Sequence, residues 1–273
     1  MSRTPTASLI AVGNELLNGE VRDSNLFNLL RNLTLLGFKV EQVAMVRDNV
    51  QRIATLLCTL LEQEPDVLIV TGGLGPTADD LTLEAVAQAQ EVPLAADPTA
   101  RAMVEQHYDR LIAQGYLHKR GPESARSKMA TLPEGARPLP NPIGTAPGVE
   151  LTHQNTYIYC LPGVPAELEA IFSATLAPEL RQRFENGSWV EASVTVRCED
   201  EANVASVLHQ VAQRHPETYI KSLARPFPEA NDAHLRIIIA ARAAEDAIAR
   251  SRVTDAKADL QDALKSAHIQ IIQ

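Results

Sequence analysis

The feature that most constrains this chain is a recurrence. Within the first ninety residues, short apolar runs alternate with helix-period segments, and strand starts return about every thirty residues. Ser8 to Val12 is a short apolar run ending at Gly13, the signal of a buried strand. Asp23 or Ser24 can cap the helix that follows. Its apolar positions Leu26, Leu29, Leu30, Leu33 and Leu36 fit a 3.6-residue period, and Gly37 supplies the stop. Lys39 to Val46 reads as a second strand. Asn49 can then cap a helix carrying Ile53, Leu56, Leu57, Leu60 and Leu61 on one side, Pro65 ends it, and Val67 to Val70 is a third strand. Repeated strand–helix–strand units of this length give an α/β fold with a mainly parallel sheet and helices on both faces.

Further along, helices are predicted over Asp80 to Gln90 and Pro98 to Gln114. Residues 115–156 are rich in Gly, Pro, Asn and Thr and read as a long irregular stretch, a length usually associated with function. A strand at Tyr157 to Leu161 is followed by a helix introduced by Pro165 and running from Ala166 to Leu180. The texture changes near Glu185-Asn-Gly-Ser188. Beyond it, a strand (Val190 to Val196), a helix (Ala202 to Arg214), two strands (Thr218 to Leu223, Leu235 to Ala240) and an Ala-rich helix to about Ala267 form a βαββα series. Two domains are therefore expected, residues 1–183 and a small α+β domain over residues 188–273. The second carries no glycine-rich loop or carboxylate cluster, so a structural or lid role is expected of it.

Composition narrows the partners. At 273 residues and 45% hydrophobic, the chain is long enough for a sizeable core. No apolar run reaches bilayer-spanning length, and the N-terminus lacks the pattern of a signal peptide, so a cytoplasmic protein without membrane contact is expected. Three scattered cysteines, Cys58, Cys160 and Cys198, fit buried free thiols better than disulfides or a zinc site. The net charge of −9, with no dense Lys/Arg cluster and 4% aromatic residues, argues against nucleic acid as a partner. An acidic chain that binds an anionic nucleotide needs metal ions, helix N-termini and backbone amides.

Ligands of open parallel sheets gather at the carboxyl ends of the strands. Four suggestive segments lie at such ends: Gly13 to Glu20, Val46-Arg-Asp48, the loop after the third strand, and Leu161-Pro-Gly-Val-Pro165. The third is Thr71-Gly-Gly-Leu-Gly-Pro-Thr-Ala-Asp-Asp-Leu-Thr82. Gly72, Gly73 and Gly75 let the backbone approach an oxygen-rich ligand. Asp79 and Asp80 stand where a helix is expected to begin, so either can cap it. A carboxylate there would compete with a bound phosphate, a conflict that a divalent cation bridging both would resolve. Thr77 and Thr82 add hydroxyls for the phosphate or the cap. On its own the loop reads equally as a capped turn.

It is neither a Walker A loop nor a dinucleotide fingerprint. Glu15 can ligate a metal, orient water or stand on the surface, and Asp48 can serve a ligand or cap the next helix. The segment Asn141-Pro-Ile-Gly-Thr-Ala-Pro-Gly148 is a second stiffened loop, in which Asn141 and Thr145 offer neutral hydrogen bonds and Gly144 and Gly148 unusual dihedrals. It too reads equally as a connecting turn. His107, His118 and His153 have no metal-like spacing and fit surface or loop positions.

In their order and wording, the Gly13, Thr71, Asn141 and Leu161 segments resemble the N-terminal domain of the CinA (competence/damage-inducible protein A) family, itself similar to the molybdopterin-binding MoaB/MogA fold. The resemblance covers residues 8 to about 180, and the βαββα tail is similar to the smaller domain that follows in that family. It implies a three-layer αβα sandwich and a divalent-metal-dependent (Mg²⁺, Mn²⁺ or Co²⁺) pyrophosphatase that splits ADP-ribose into AMP and ribose 5-phosphate. On that reading Gly72, Gly73 and Gly75 hold the diphosphate, with Thr77, Thr82, Asp48, Asn141, Gly144, Thr145, Gly148, Pro162 and Gly163 around the substrate. Asp80, with Asp79 and Glu15, serves the metal, and Glu15 or Asp79 accepts the proton of water. Asp48 and Asp80 also align with acidic positions that the molybdopterin branch places around its ligand, which implies the alternative of a non-catalytic pterin-phosphate binder.

Asn14 stands where many relatives carry Asp, removing one possible metal ligand. CinA proteins commonly continue into a nicotinamide-nucleotide amidase domain that this sequence does not reach, so deamidase activity is not expected. The resemblance also implies a homo-oligomer, with a dimer preferred.

Overall fold

A computed structural model describes residues 3–184, 187–198, 200–223 and 234–272. The chain divides into two compact units, Met1–Thr34 with Phe38–Phe184, and Leu35–Gly37 with Glu185–Gln273. The texture change read at Glu185-Asn-Gly-Ser188 falls partly on residues 185–186, outside the described residues.

The first unit opens with β1 (Thr6–Val12), a single short turn α1 (Asn14–Leu17), α2 (Asn25–Leu35), β2 (Lys39–Val46), α3 (Val50–Leu61) and β3 (Val67–Thr71). Local chemistry fixes these ends. The Leu26 amide donates to Asp23 Oδ1 at 2.6 Å and the Arg52 amide to Asn49 Oδ1 at 3.0 Å, so the side chains satisfy helix-start amides that have no partner within the helix. Next come α4 (Thr82–Ala89), β4 (Leu94–Ala96), α5 (Pro98–Ala113), α6 (Glu123–Met129), β5 (Thr131–Pro133), β6 (Arg137–Leu139), β7 (Gly148–His153) and β8 (Thr156–Leu161). The unit closes with α7 (Pro165–Ile171), a π-helical turn (Phe172–Leu176) and α8 (Ala177–Arg183).

The central sheet runs β2-β1-β3-β8-β7-β6. Its first four strands are parallel, β7 alone runs the other way and β6 pairs antiparallel to β7, so the mainly parallel sheet of a three-layer αβα sandwich is borne out. β1 beyond Thr6, and the whole of β3, are buried, as strands covered on both faces must be. On one face Ile10, Leu68, Val70 and Ile158 meet Ile53 and Leu57 of α3 and Val86 of α4. Burial of each such side chain contributes about 1.5–3 kcal/mol.

Several expectations need correction. The helix read from Asp80 starts at Thr82, because Asp80 turns back onto the Thr77 amide (2.8 Å) and neither Asp79 nor Asp80 caps it. Residues 115–156 are not irregular throughout. They contain α6 and three strands, two of them paired onto the sheet edge and the third with β4. The helix read from Ala166 to Leu180 is not uniform: α7 passes through the π turn into α8, which ends at Arg183. Cys58 is exposed and only Cys160 fully buried, its thiol pushed up to about 12 by burial. His107 is buried in α5 rather than on the surface.

The second unit contains β9 (Ser188–Arg197), α9 (Ala202–Arg214), β10 (Thr218–Leu223), β11 (His234–Ala243) and α10 (Asp246–Ser266). Its antiparallel sheet runs β10-β11-β9. Val194, Val196, Ile237 and Ile239 pack against Val204 and Val211 of α9 and Leu260 of α10. Among the described residues, no helix of the chain is long and apolar enough to cross a membrane.

Candidate functional site

The carboxyl ends of β1, β2, β3 and β8 meet around a cleft of 470 Å³, within the size range of small-molecule sites. Gly13 and Glu15 line it from the β1 loop, Asp48 from the β2 loop, and Pro162 and Gly163 from the β8 loop. The segment Gly72 to Pro76, with Asp79 and Asp80, forms a further wall, and Thr145 and Ala146 come from the second glycine/proline loop. The four strand-end segments thus share one cavity.

Backbone geometry explains the glycines of the β3 loop. Gly72 has φ +100°, and a Cβ on it would lie 2.2 Å from the Val12 carbonyl oxygen; Gly73 has φ +66°. Both dihedrals strain any other L-residue. The Gly72 amide continues the sheet by donating to Leu161 O at 3.0 Å, and its carbonyl accepts from Thr82 Oγ1 at 2.7 Å. The Thr82 amide donates to Gly73 O at 3.2 Å. These bonds occupy the loop's carbonyls. Among the described residues, the amides of Gly73, Leu74 and Gly75 have no protein acceptor, and all three residues line the cleft.

Neighbouring loops are pinned just as definitely. The Asn14 amide donates to Asp48 Oδ2 at 2.7 Å, joining the β1 and β2 loops. Asn25, buried at the start of α2, donates to Gly163 O at 2.7 Å and to Thr71 Oγ1 at 3.3 Å. Thr71 Oγ1 in turn donates to Pro162 O at 3.1 Å.

Several predicted ligand residues shape the site without lining it. Thr82 is buried and closes the loop. The Thr77 hydroxyl lies within reach of both Asp79 and Asp80 (2.6 Å to Asp80 Oδ2), and with one proton it donates to one carboxylate at a time. Asn141 Oδ1 accepts from the Gly144 amide at 2.8 Å, while Nδ2 donates to Ala146 O (2.8 Å) and Glu167 Oε2 (2.7 Å). This Asx-type turn turns Asn141 inward, toward its own loop. Gly144 is small because a Cβ there would meet Glu167 Oε2 at 2.0 Å, and Gly148 is a buried residue that begins β7.

Other contributors carried no sequence signal that singled them out. Tyr108 of α5, Met129 of α6 and Glu167 of α7 line the cleft. Glu105 of α5 pairs with Arg101 of its own helix (2.7 Å), with Arg120 in the following loop (3.0 Å) and with Arg126 of α6, and Arg101 also pairs with Glu123 of α6 at 2.7 Å. Asn25 alone could have been suspected, as a polar residue at the buried start of an apolar helix.

The electrostatics are lopsided. Glu15, Asp48, Asp79, Asp80 and Glu167 line the cleft, whereas Lys128 lines a smaller cavity of 250 Å³ that shares Gly73, Leu74, Gly75 and Asp80 with it. Lys128 Nζ donates to the Thr77 carbonyl. The Asp79 carboxyl is held below its usual range by the Thr77 hydroxyl first, then by its own backbone, with Lys128 adding a Coulombic pull. That carboxylate is a weak base. Among the described residues, no group of three or more His, Cys, Asp or Glu converges as a metal site. Glu15, Asp79 and Asp80 line the cleft without converging as one such group, and Asp80 Oδ2 accepts from the Thr77 amide at 2.8 Å.

A family model described as "Probable molybdopterin binding domain" matches residues 8–182. The chain belongs to that molybdopterin-binding-domain family. A Pyrobaculum arsenaticum protein is 39% identical over 260 residues, 95% of each chain. One from Caldivirga maquilingensis is 37% identical over 265 residues, 97% of this chain and 98% of its own. The crystal structure of the protein CinA, of unknown function, from Thermoplasma acidophilum is 34% identical with a TM-score of 0.57, covering 64% of this chain and 98% of that one. The CinA resemblance carried by the four motifs is thereby borne out. Within the molybdopterin-binding-domain family match fall all the cleft residues named above.

Proposed function

We propose that the cleft binds a small heterocycle bearing a phosphate, of the pterin-phosphate class, as the family description suggests. One observation carries the reading: three unengaged amides at Gly73, Leu74 and Gly75 line the same cavity as a ring of carboxylates. Amides of a glycine loop are donors suited to phosphate oxygens. A pterin ring presents amino and ring N–H donors, which the carboxylates of Asp48 and Glu167 can accept. A bare phosphate would meet only repulsion from those carboxylates. A ligand with an anionic end and a donor-rich end suits both.

The test is to isolate the protein from a host that makes pterin cofactors and record fluorescence after denaturation. Stoichiometric pterin emission is expected. Its absence, together with no heat on titration with a pterin phosphate, would overturn the proposal.

A second reading is hydrolysis of the diphosphate bond of ADP-ribose, giving AMP and ribose 5-phosphate. The observation favouring it is that Glu15 and Asp80 line the cleft beside the amides, where a carboxylate could take a proton from attacking water. Incubation with ADP-ribose and Mg²⁺, Mn²⁺ or Co²⁺ tests it. AMP release that vanishes in Glu15→Gln supports it, and no AMP with any of these ions rejects it.

A further inference from the structure

The second unit has a sheet with two unlike faces. Strand alternation, checked by burial, sends Val194, Val196, Leu235, Ile237 and Ile239 toward α9 and α10. The alternate positions face the other way, and their composition departs from that of the chain. Lys221 on β10, Arg236 on β11 and Arg197 on β9 are all exposed there. Register places Leu223 opposite Arg236 and His234 opposite Arg197. The three cations therefore step diagonally across the sheet, one strand over and two residues along, roughly 8 Å apart at the backbone.

Two aromatic residues stand on the same face, beyond the cationic stripe. Tyr219 is 52% exposed and lies opposite Ala240, which is itself fully buried. Trp189 lies opposite Arg242, whose guanidinium sits over the indole, 5.6 Å from the ring centroid. Among the described strand positions of this face, Glu191 is the sole carboxylate, and it reaches Arg236 only at 3.9 Å. A net charge of −9 for the whole chain hides this local excess of positive charge.

We infer that this open sheet face binds single-stranded nucleic acid. Diagonal cations track a phosphate backbone, and the exposed Tyr219 ring, with the Trp189–Arg242 pair beyond it, offers a planar surface on which bases of any sequence can stack. An acidic polypeptide would satisfy the cations but would leave the exposed Tyr219 ring without a stacking partner. A duplex has its bases already stacked and would meet only the charges. This departs from the expectation set by overall charge, because recognition depends on where the charges lie rather than on their sum.

Trp189 is the only tryptophan in the chain, so intrinsic fluorescence reads this face directly. The experiment titrates the full chain with an oligothymidylate of about 16 nucleotides at low salt, following Trp quenching and oligonucleotide anisotropy together. Saturable quenching is expected, with affinity falling as salt rises. Lys221→Glu with Arg236→Glu should weaken binding at least about tenfold while circular dichroism stays unchanged. Tyr219→Ala should weaken it without changing the salt slope, a readout that separates stacking from charge. No quenching at low salt, equal binding by the charge-reversed variant, or equal affinity for polyglutamate of similar length would overturn the inference.

Discussion

The Thr82 hydroxyl donates to the Gly72 carbonyl oxygen at 2.7 Å, closing the loop between β3 and α4 across ten residues. Both residues are tied to their neighbours by sheet or helix hydrogen bonds. Together with the Thr82 amide's bond to Gly73 O, it fixes the two ends between which the loop amides stand.

Thr82→Val keeps the shape and removes the donor. It should cost about 1–3 kcal/mol, since the Gly72 carbonyl loses its partner inside the fold. Thr82→Ser should retain most of the stability. Urea unfolding of the three proteins checks the order, and equal midpoints would show the bond to be dispensable.

Gly72→Ala introduces a Cβ 2.2 Å from the Val12 carbonyl oxygen at a φ of +100°. A loss of about 3 kcal/mol or more is expected from the clash and the dihedral strain together. Thermal unfolding should show a clear drop in midpoint.

Asp48→Ala removes the acceptor of the Asn14 amide and frees the β1 loop from the β2 loop. A loss of about 2 kcal/mol is expected, with Asp48→Asn closer to wild type because an amide oxygen can still accept. On the proposed function, Asp48→Asn should nevertheless weaken pterin phosphate binding, as the carboxylate charge is lost. Calorimetry alongside unfolding separates the two effects.

Burial, with the nearby Arg110 charge, pushes His107 below its usual range, so the folded state holds it neutral. The unfolded chain takes up the proton more readily. Stability from this residue is present above the unfolded pKa of about 6.5 and falls as pH drops below it. Urea midpoints measured from about pH 7.5 to about pH 5 should decline in wild type and decline less in His107→Gln. Identical pH profiles would contradict the assignment.

Much of the architecture was legible because it rests on local rules. Strand–helix spacing, the caps at Asp23 and Asn49, and the placement of ligand loops at parallel strand ends need no long-range knowledge. They sufficed to bring Gly13, Asp48, Gly72 and Gly163 to one cavity. What escaped depended on tertiary contact. Tyr108 and Met129 reach the cleft where α5 and α6 are joined by the Arg126–Glu105 and Arg101–Glu123 ion pairs, a meeting that no local pattern announces. Asp80 read as a helix cap because it stands where the helix is expected to begin; its carboxylate accepts from the Thr77 amide behind it instead. Asn141 read as a ligand donor, but its amide is engaged by its own loop and by Glu167 of α7.

The central claim is that the amides of Gly73, Leu74 and Gly75 hold the ligand's phosphate. Gly75 offers the cleanest probe. Its φ is not in the left-handed region, so a side chain is conformationally allowed, but a Cβ would lie 2.6 Å from Asp80 Oδ2 beside the cleft. Titration calorimetry of wild type and Gly75→Val with a pterin phosphate, with unfolding midpoints in parallel, tests the claim most directly. The account predicts saturable binding by wild type and a loss of at least about tenfold in the variant, which is about 1.4 kcal/mol, with the fold retained. Equal affinity in a folded variant would contradict it.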